Sequence, residues 1–169
     1  MAAKKQMERT RALLAKVRQV STQDYFQALC LDTSGDLDVD QTSVWTFDAN
    51  LQKVECQCGY DALTEKFSRH QVLRQQDCPR YFRAIVEENY VCAPDVADHL
   101  ATREFLESYF KPNGIVSLLD FIMHEDAVPF GIICCENRRG IRQWSDADRN
   151  YLRSIATLTS FLFLPAARV

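Results

Sequence analysis

The strongest constraint on the fold is the stretch at 114–144, GIVSLLDFIMHEDAVPFGIICCENRRGIRQW, in which two apolar runs flank a short acidic turn. Ile115 to Met123 is rich in Ile, Val, Leu and Phe, too short for an isolated helix, and bounded by Gly114 and by His124-Glu125-Asp126. It reads as a strand. After Ala127-Val128-Pro129, the run from Phe130 to Cys135 has the same character, so the pair is predicted to be an antiparallel hairpin at the centre of a sheet. Successive residues are apolar, without the alternation of a half-exposed strand. Both faces of the sheet should therefore be covered, by helices.

A length of 169 residues with 47% hydrophobic side chains supports one well-cored domain and excludes general disorder. No window approaches the ~20 uncharged apolar residues of a membrane span. The N-terminus is basic and polar, with no apolar signal core, so a cytoplasmic protein without a membrane span is expected. Seven cysteines, an odd number, fit reduced thiols used as small core residues. The net charge of −3 divides unevenly: Lys4, Lys5, Arg9, Arg11, Lys16 and Arg18 against Glu8 give +5 over residues 1–20, leaving −8 for the rest. No aromatic residues interleave with these cations, so they read as a solvated helix face and not as a nucleic-acid site.

Along the chain, Met7 to Leu29 lacks Pro and Gly and predicts one long helix, with stripes Leu13, Val17, Val20 and Leu14, Tyr25, Ala28, interrupted by Asp24. Cys30 to Thr42 is expected to be a loop, broken at Ser34-Gly35 and rich in aspartate. Asp36, Asp38 and Asp40 match the opening of a calcium loop, but its later Gly and Glu positions would fall on Gln41 and Phe47, which favours a solvated loop. Ser43 to Asp48 reads as a strand, Ala49-Asn50 as a turn, and Lys53 to Tyr60 as the returning strand. Cys56 and Cys58, two apart, should share a face, whereas Cys134 and Cys135 should point to opposite faces. Small buried thiols explain all four better than a metal site.

Residues 61–77 are polar, anchored only by Phe67, Val72 and Leu73. Pro79 opens a helix over 79–88 that Asn89 ends, Tyr90 to Ala93 is a short strand, and Ala101 to Phe110 is a further helix stopped at 111–114. The last helix opens at Ser145, capped with Asp148, with Trp144 packed just ahead. Tyr151, Ile155, Leu158 and Leu162 form one stripe, and Leu152, Ala156, Thr159 and Phe163 a second, which implies two packing partners.

This order, with a long helix at each end and a tryptophan-bearing first strand, resembles the GAF sensory domain. The resemblance rests on Ser43 to Asp48 (SVWTFD), Gly114 to Ile122 (GIVSLLDFI), Phe130 to Glu136 (FGIICCE) and Gln143 to Asp148 (QWSDAD). The last segments look like GAF modules found in bacterial sensor histidine kinases and diguanylate cyclases. The resemblance implies an α+β, GAF/PAS-like fold over 22–164: a central antiparallel six-stranded sheet with long N- and C-terminal helices on one face and shorter helices on the other. The segment 1–30 would be a signalling and dimerisation helix.

The family resemblance leaves the ligand open. The motifs of cyclic-nucleotide, bilin and methionine sulfoxide reductase members are not reproduced, and haem through His70, His99 or His124 is less well supported than surface or hydrogen-bonded histidines. The cofactor is therefore undetermined. The expected pocket lies between the sheet and the helices at 79–88 and 101–110, walled by Tyr81, Phe82, Phe105 and Tyr109 over a floor of Trp45, Asp120, Ile122 and Cys134. Asp120, on a core strand, needs a partner: backbone, a cation such as Arg103 or Arg138, or a ligand. The sequence thus points to a non-catalytic sensory module that binds a small molecule and signals through its terminal helices, as a homodimer, to a kinase or cyclase output domain. The alternatives are a structural dimerisation scaffold whose pocket is filled and, with no assembled nucleophile and base, a GAF-type redox enzyme.

Overall fold

The computed structural model describes residues 6–16 and 19–163, with side chains up to residue 160. The elements run α1 (Glu8–Leu14), α2 (Thr22–Leu37), β1 (Gln41–Phe47), β2 (Lys53–Asp61), β3 (Lys66–Ser68), β4 (Val72–Arg74), α3 (Pro79–Glu88), β5 (Tyr90–Ala93), a helical strap ending in α4 (Lys111–Asn113), β6 (Ser117–Glu125), β7 (Val128–Asn137) and α5 (Asp146–Phe163). Lys4, Lys5, Val17 and Arg18, and the side chains of Leu162 and Phe163, lie outside the described residues.

The central hairpin forms as its sequence requires. Asp126 and Ala127 both take left-handed φ values, 47° and 65°, in a two-residue turn between paired Glu125 and Val128. The sheet is antiparallel throughout, in the order β3-β2-β1-β7-β6-β5. β4 makes a seventh strand, also paired with β2, so the polar segment after Asp61 supplies two short strands that its sequence did not reveal. Gly131 permits the close pairing of β7 with β1, because a Cβ there would lie 2.4 Å from the Trp45 carbonyl oxygen.

The expected single N-terminal helix is two. Ser21 is extended (φ −70°, ψ 152°), its hydroxyl accepts from Asp24 N at 3.1 Å and donates to the Asp24 carboxylate at 2.7 Å, so Asp24 belongs to a helix cap and does not interrupt a stripe. α2 then runs through Ser34-Gly35, where a loop was expected, and stops at the left-handed Asp38. An exposed helical glycine costs ~1 kcal/mol, which the burial of Phe26, Leu29, Cys30 and Leu37 against the sheet outweighs. The aspartates have protein partners: Asp32 accepts from Thr10 N, Thr10 Oγ1 and Arg9, Asp36 from Met7 N, and Asp38 and Asp40 face Arg139. These bonds tie α1 back onto α2.

α2 and α5 cover one face of the sheet, over Val44, Cys58, Leu119, Phe121, Ile133 and Cys135. The other face, carrying Trp45, Val54, Cys56, Leu118, Ile122, Ile132 and Cys134, packs under α3 and the strap. Cys56 and Cys58 do not share a face. The register of β1 with β2 slips between Val44 and Trp45, which pair with Cys58 and Cys56, so Gln57 forms a bulge that turns the two thiols apart. All seven cysteines are free thiols. α5 is capped as expected, Asp148 N to Ser145 Oγ at 3.1 Å and Ser145 N to Asp148 Oδ2 at 3.0 Å. Of its two stripes, Tyr151, Leu152, Ile155, Ala156 and Thr159 are buried within the chain, and Leu158 is partly exposed.

The strap departs from the regular helix expected over 101–110. It is a 3-10 turn (Arg103–Phe105), then a π-helical turn (Leu106–Phe110) in which Lys111 N donates to Leu106 O, then α4, ended by left-handed Gly114. Phe105 and Phe110 are both buried with their rings 4.6 Å apart. Residues five apart lie on different sides of an α-helix and nearly eclipse only in the wider turn. Burying both phenylalanines therefore selects the π turn, and that turn also delivers Tyr109 to the sheet.

Candidate functional site

β6 and β7 are the two strands that carry carboxyl groups into the face under α3. On β6, period-two alternation places Leu118, Asp120 and Ile122 inward; on β7 it does the same for Ile132, Cys134 and Glu136. Asp120 pairs with Cys134 and Leu118 with Glu136, so the two acids sit on adjacent strands of one surface. Asp120 is 1% exposed and Glu136 4%.

Tyrosines reach both acids from above. α3, started by Pro79, directs Tyr81 to the sheet, where its hydroxyl donates to Asp120 Oδ2 at 2.6 Å. Tyr109 of the π turn donates to Glu136 Oε2 at 3.0 Å. Neither arginine expected beside Asp120 is there: Arg138 binds Asp61 and Gln41 at the end of the sheet, and Arg103 turns to the Asp98 carbonyl. Asp120 Oδ1 is buried without a hydrogen bond of good geometry, although the Cys134 thiol and the Cys135 amide act on the carboxyl.

Burial dominates the acidity of this group. It pushes the Asp120 carboxyl up to about 7, against the opposing pull of the Tyr81 hydroxyl, the nearby Cys134 thiol and the Cys135 amide. Glu136 is pushed up to about 8, by burial first and then by the charge of Asp120, with Tyr109 and Arg138 opposing. Burial and the facing carboxyls raise Tyr81, Tyr109 and Cys134 well above their ordinary ranges. Near neutral pH the site holds protons that exposed carboxylates would have lost.

These groups surround a cavity of about 20 Å³ lined by Trp45, Val54, Leu73, Tyr81, Phe105, Tyr109, Leu118, Asp120, Ile132, Cys134 and Glu136, room for about one water. Of the residues expected at a pocket, Trp45, Tyr81, Phe105, Tyr109, Asp120 and Cys134 meet here. Phe82 packs edge-on against Phe47 and borders a different groove, with Leu51 and Arg83. Ile122 borders an open groove of about 570 Å³ with Phe121, His124 and Arg153. Glu136 was missed, although alternation from Cys134 assigns it to the same face; it stands where the apolar run ends and reads as the start of a turn. The other histidines are engaged locally, His70 with Glu55 at 3.1 Å and His99 Nδ1 with the Ala101 amide at 3.2 Å. Among the described residues, no three His, Cys, Asp or Glu side chains are grouped to hold a metal ion, and no helix is long and apolar enough to cross a membrane.

The model of the GAF domain family matches residues 13–161. This chain belongs to the GAF family. Comparison of its sequence with curated proteins gave no match, but many solved structures share the fold. The phycoerythrobilin-bound GAF domain of a cyanobacterial phytochrome superposes with a TM-score of 0.78 at 14% identity, covering 96% of each chain. The GAF domain of an Acinetobacter phosphoenolpyruvate-protein phosphotransferase gives 0.73 at 14% identity, covering 98% of this chain and 96% of that one. The chromophore-binding domain of a Stigmatella aurantiaca bacteriophytochrome gives 0.70 at 17% identity, with 94% of this chain matched to 59% of that one. At these identities the likeness is one of fold.

Proposed function

We propose that this GAF domain is a non-catalytic sensory or regulatory module that binds a small molecule between the sheet and the Tyr81–Tyr109 wall. It would signal through its terminal helices to an output domain outside this chain, such as a histidine kinase or a diguanylate cyclase. One observation carries the reading: two carboxyl groups are buried beside each other and face a cavity, a placement that costs stability and that packing alone does not require. A route to the helices is built in. Asp120 faces the cavity while its neighbour Phe121 packs on the α5 side, so a shift of β6 at the site moves the α5 contact. One of the structural relatives named above is phycoerythrobilin-bound and another is a chromophore-binding domain. A cavity of about 20 Å³ is far too small for a bilin, which argues for a smaller ligand here. Homodimerisation would use the partly exposed Leu14 of α1, Val20 between α1 and α2, and Leu158 of α5.

The small cavity also favours a second reading, a dimerisation scaffold whose pocket is closed by its own aromatic residues. A thermal-shift screen of small metabolites against the wild type and the double variant Asp120→Asn/Glu136→Gln separates the two. The sensor reading expects at least one ligand that stabilises the wild type and loses its effect in the double variant. An empty screen, or hits indifferent to both acids, supports the scaffold.

A further inference from the structure

We infer that the cavity takes a small organic ammonium ion, held by Asp120 and Glu136 and walled by aromatic rings. The inference rests on the small-molecule reading above and adds the class of ligand.

Three features of the lining carry it. The first is the sign of its charge. Two carboxyl groups face the cavity and no Lys, Arg or His lines it, so an anionic ligand would find no cationic partner there and would oppose any ionised carboxylate. The second is an unmet acceptor. The tyrosine hydroxyls each occupy one oxygen of their acid, and Asp120 Oδ1, fully buried, has no donor at good hydrogen-bond geometry, the Cys134 thiol and Cys135 amide being its nearest protein candidates. An N–H from a ligand would supply it. The third is the wall. Trp45, Tyr81, Phe105 and Tyr109 border the same space, and Trp45 has its indole N–H turned to Ser43 Oγ at 2.8 Å, leaving its ring to the cavity. Aromatic faces beside carboxylates are the general recipe for holding an alkylated ammonium, the rings attracting the cation and the acids its N–H groups.

The ion head is close to water in size, which the cavity accommodates; an alkyl tail needs the strap to give. The strap is the wall least locked by regular hydrogen bonding, with its 3-10 and π turns in place of a continuous helix. Binding should also be linked to protons. Two neighbouring buried carboxyls resist ionising together, and a cation between them removes that resistance. The titratable and charged groups that bear on them are Tyr81 on α3, Tyr109 on the strap, Cys134 on β7, and Arg138 at the end of the sheet. Each bound cation should release protons at pH 7, and affinity should rise as pH passes from about 6 to about 9, through the values of Asp120 and Glu136.

Calorimetric titration with n-butylammonium, n-butanol and butyrate tests this, because the three share one chain and differ in head charge. The expected result is binding of n-butylammonium alone, with proton release seen as a dependence of the heat on buffer ionisation. Asp120→Asn and Glu136→Gln should each weaken it about tenfold to a hundredfold, as loss of a charge-assisted hydrogen bond does. Arg153→Ala, in the separate groove, should leave it unchanged. Butanol or butyrate binding as tightly as the ammonium, no proton release by the wild type, or no response to any of the three probes would overturn the inference. The proton-release arm needs no variant to fold. If the metabolite screen instead returns a neutral or anionic ligand sensitive to Asp120, the ammonium class fails while the sensory reading stands.

Discussion

The two faces of the sheet are made by the same strands and differ in what they ask of their residues. Under α2 and α5, β1, β6 and β7 present Val44, Leu119, Phe121, Ile133 and Cys135, and the cover supplies Leu29, Leu152 and Ile155, all buried apolar groups. Polar contacts join the covering helices, Tyr25 Oη with Thr159 Oγ1 at 2.9 Å and Tyr151 Oη donating to Asp36 Oδ2 at 2.8 Å. One residue along each strand, the opposite face holds Asp120 and Glu136, two tyrosine hydroxyls and an unmet carboxyl oxygen. The first face is dominated by apolar packing, as stability selects, although it also buries the hydroxyls of Thr33 and Thr42. The second gives up stability at the centre of its strands, which is where a site is expected in an otherwise consistent fold.

Substitutions on the two faces should differ in sign as well as size. Leu152→Ala, on the filled face, is expected to cost ~2–5 kcal/mol in denaturant unfolding, as cavity-forming changes do, with no change in ligand response. A loss under ~1 kcal/mol would mean that this face is looser than its burial indicates. Asp120→Asn should act in the other direction above neutral pH. Because burial raises the Asp120 value from 3.8 to about 7, the folded state holds its proton longer than the unfolded chain. Wild-type stability should fall as pH rises between those values, by about 1.4 kcal/mol per pH unit for this group, and level off above. The variant should lose that slope, so that it gains on the wild type as pH increases. Unfolding curves at pH 5, 6, 7 and 8 measure this, and parallel profiles would show that Asp120 is not the costly group.

Smaller effects sharpen the contrast. Tyr109→Phe removes the donor to Glu136 and should cost about 0.5–1.5 kcal/mol, with a further rise in the Glu136 value detectable by carboxyl-carbon NMR titration. An unmoved Glu136 would mean that the hydroxyl does not serve it. Ser145→Ala deletes the α5 cap and should cost ~1 kcal/mol while leaving the cavity untouched. Altered ligand response in that variant would mean that the two faces are coupled more tightly than their packing suggests.

The sheet was legible because its signals are local and redundant. The apolar runs around 115–135, the Ser43 to Asp48 strand and the Ser145 cap each carry their own pattern. What escaped the sequence depends on partners elsewhere. Ser21 and Asp24 form a local cap, but the good helix formers on either side hide it, so that Asp24 reads as an interruption of a stripe. Gly35 stays helical because the sheet holds the helix around it, and tertiary packing overrides a propensity of ~1 kcal/mol. The Gln57 bulge reversed the facing of Cys56 relative to Cys58, and a one-residue slip leaves no mark in composition. At the site, Asp120 stood out as a charge within an apolar run. Glu136, equally buried, ended its run, and its inward placement depends on the pairing of β7 with β6.

Amide chemical-shift mapping on isotope-labelled protein, titrated with n-butylammonium and then with the hits of the metabolite screen, tests most directly whether the polar face is a ligand site. The account predicts shifts concentrated at Trp45, Tyr81, Tyr109, Asp120 and Cys134, spreading through Phe121 to α5, with Leu29 and Val44 on the filled face unmoved. Shifts confined to the open groove around His124 and Arg153, or none at saturating ligand, would contradict it.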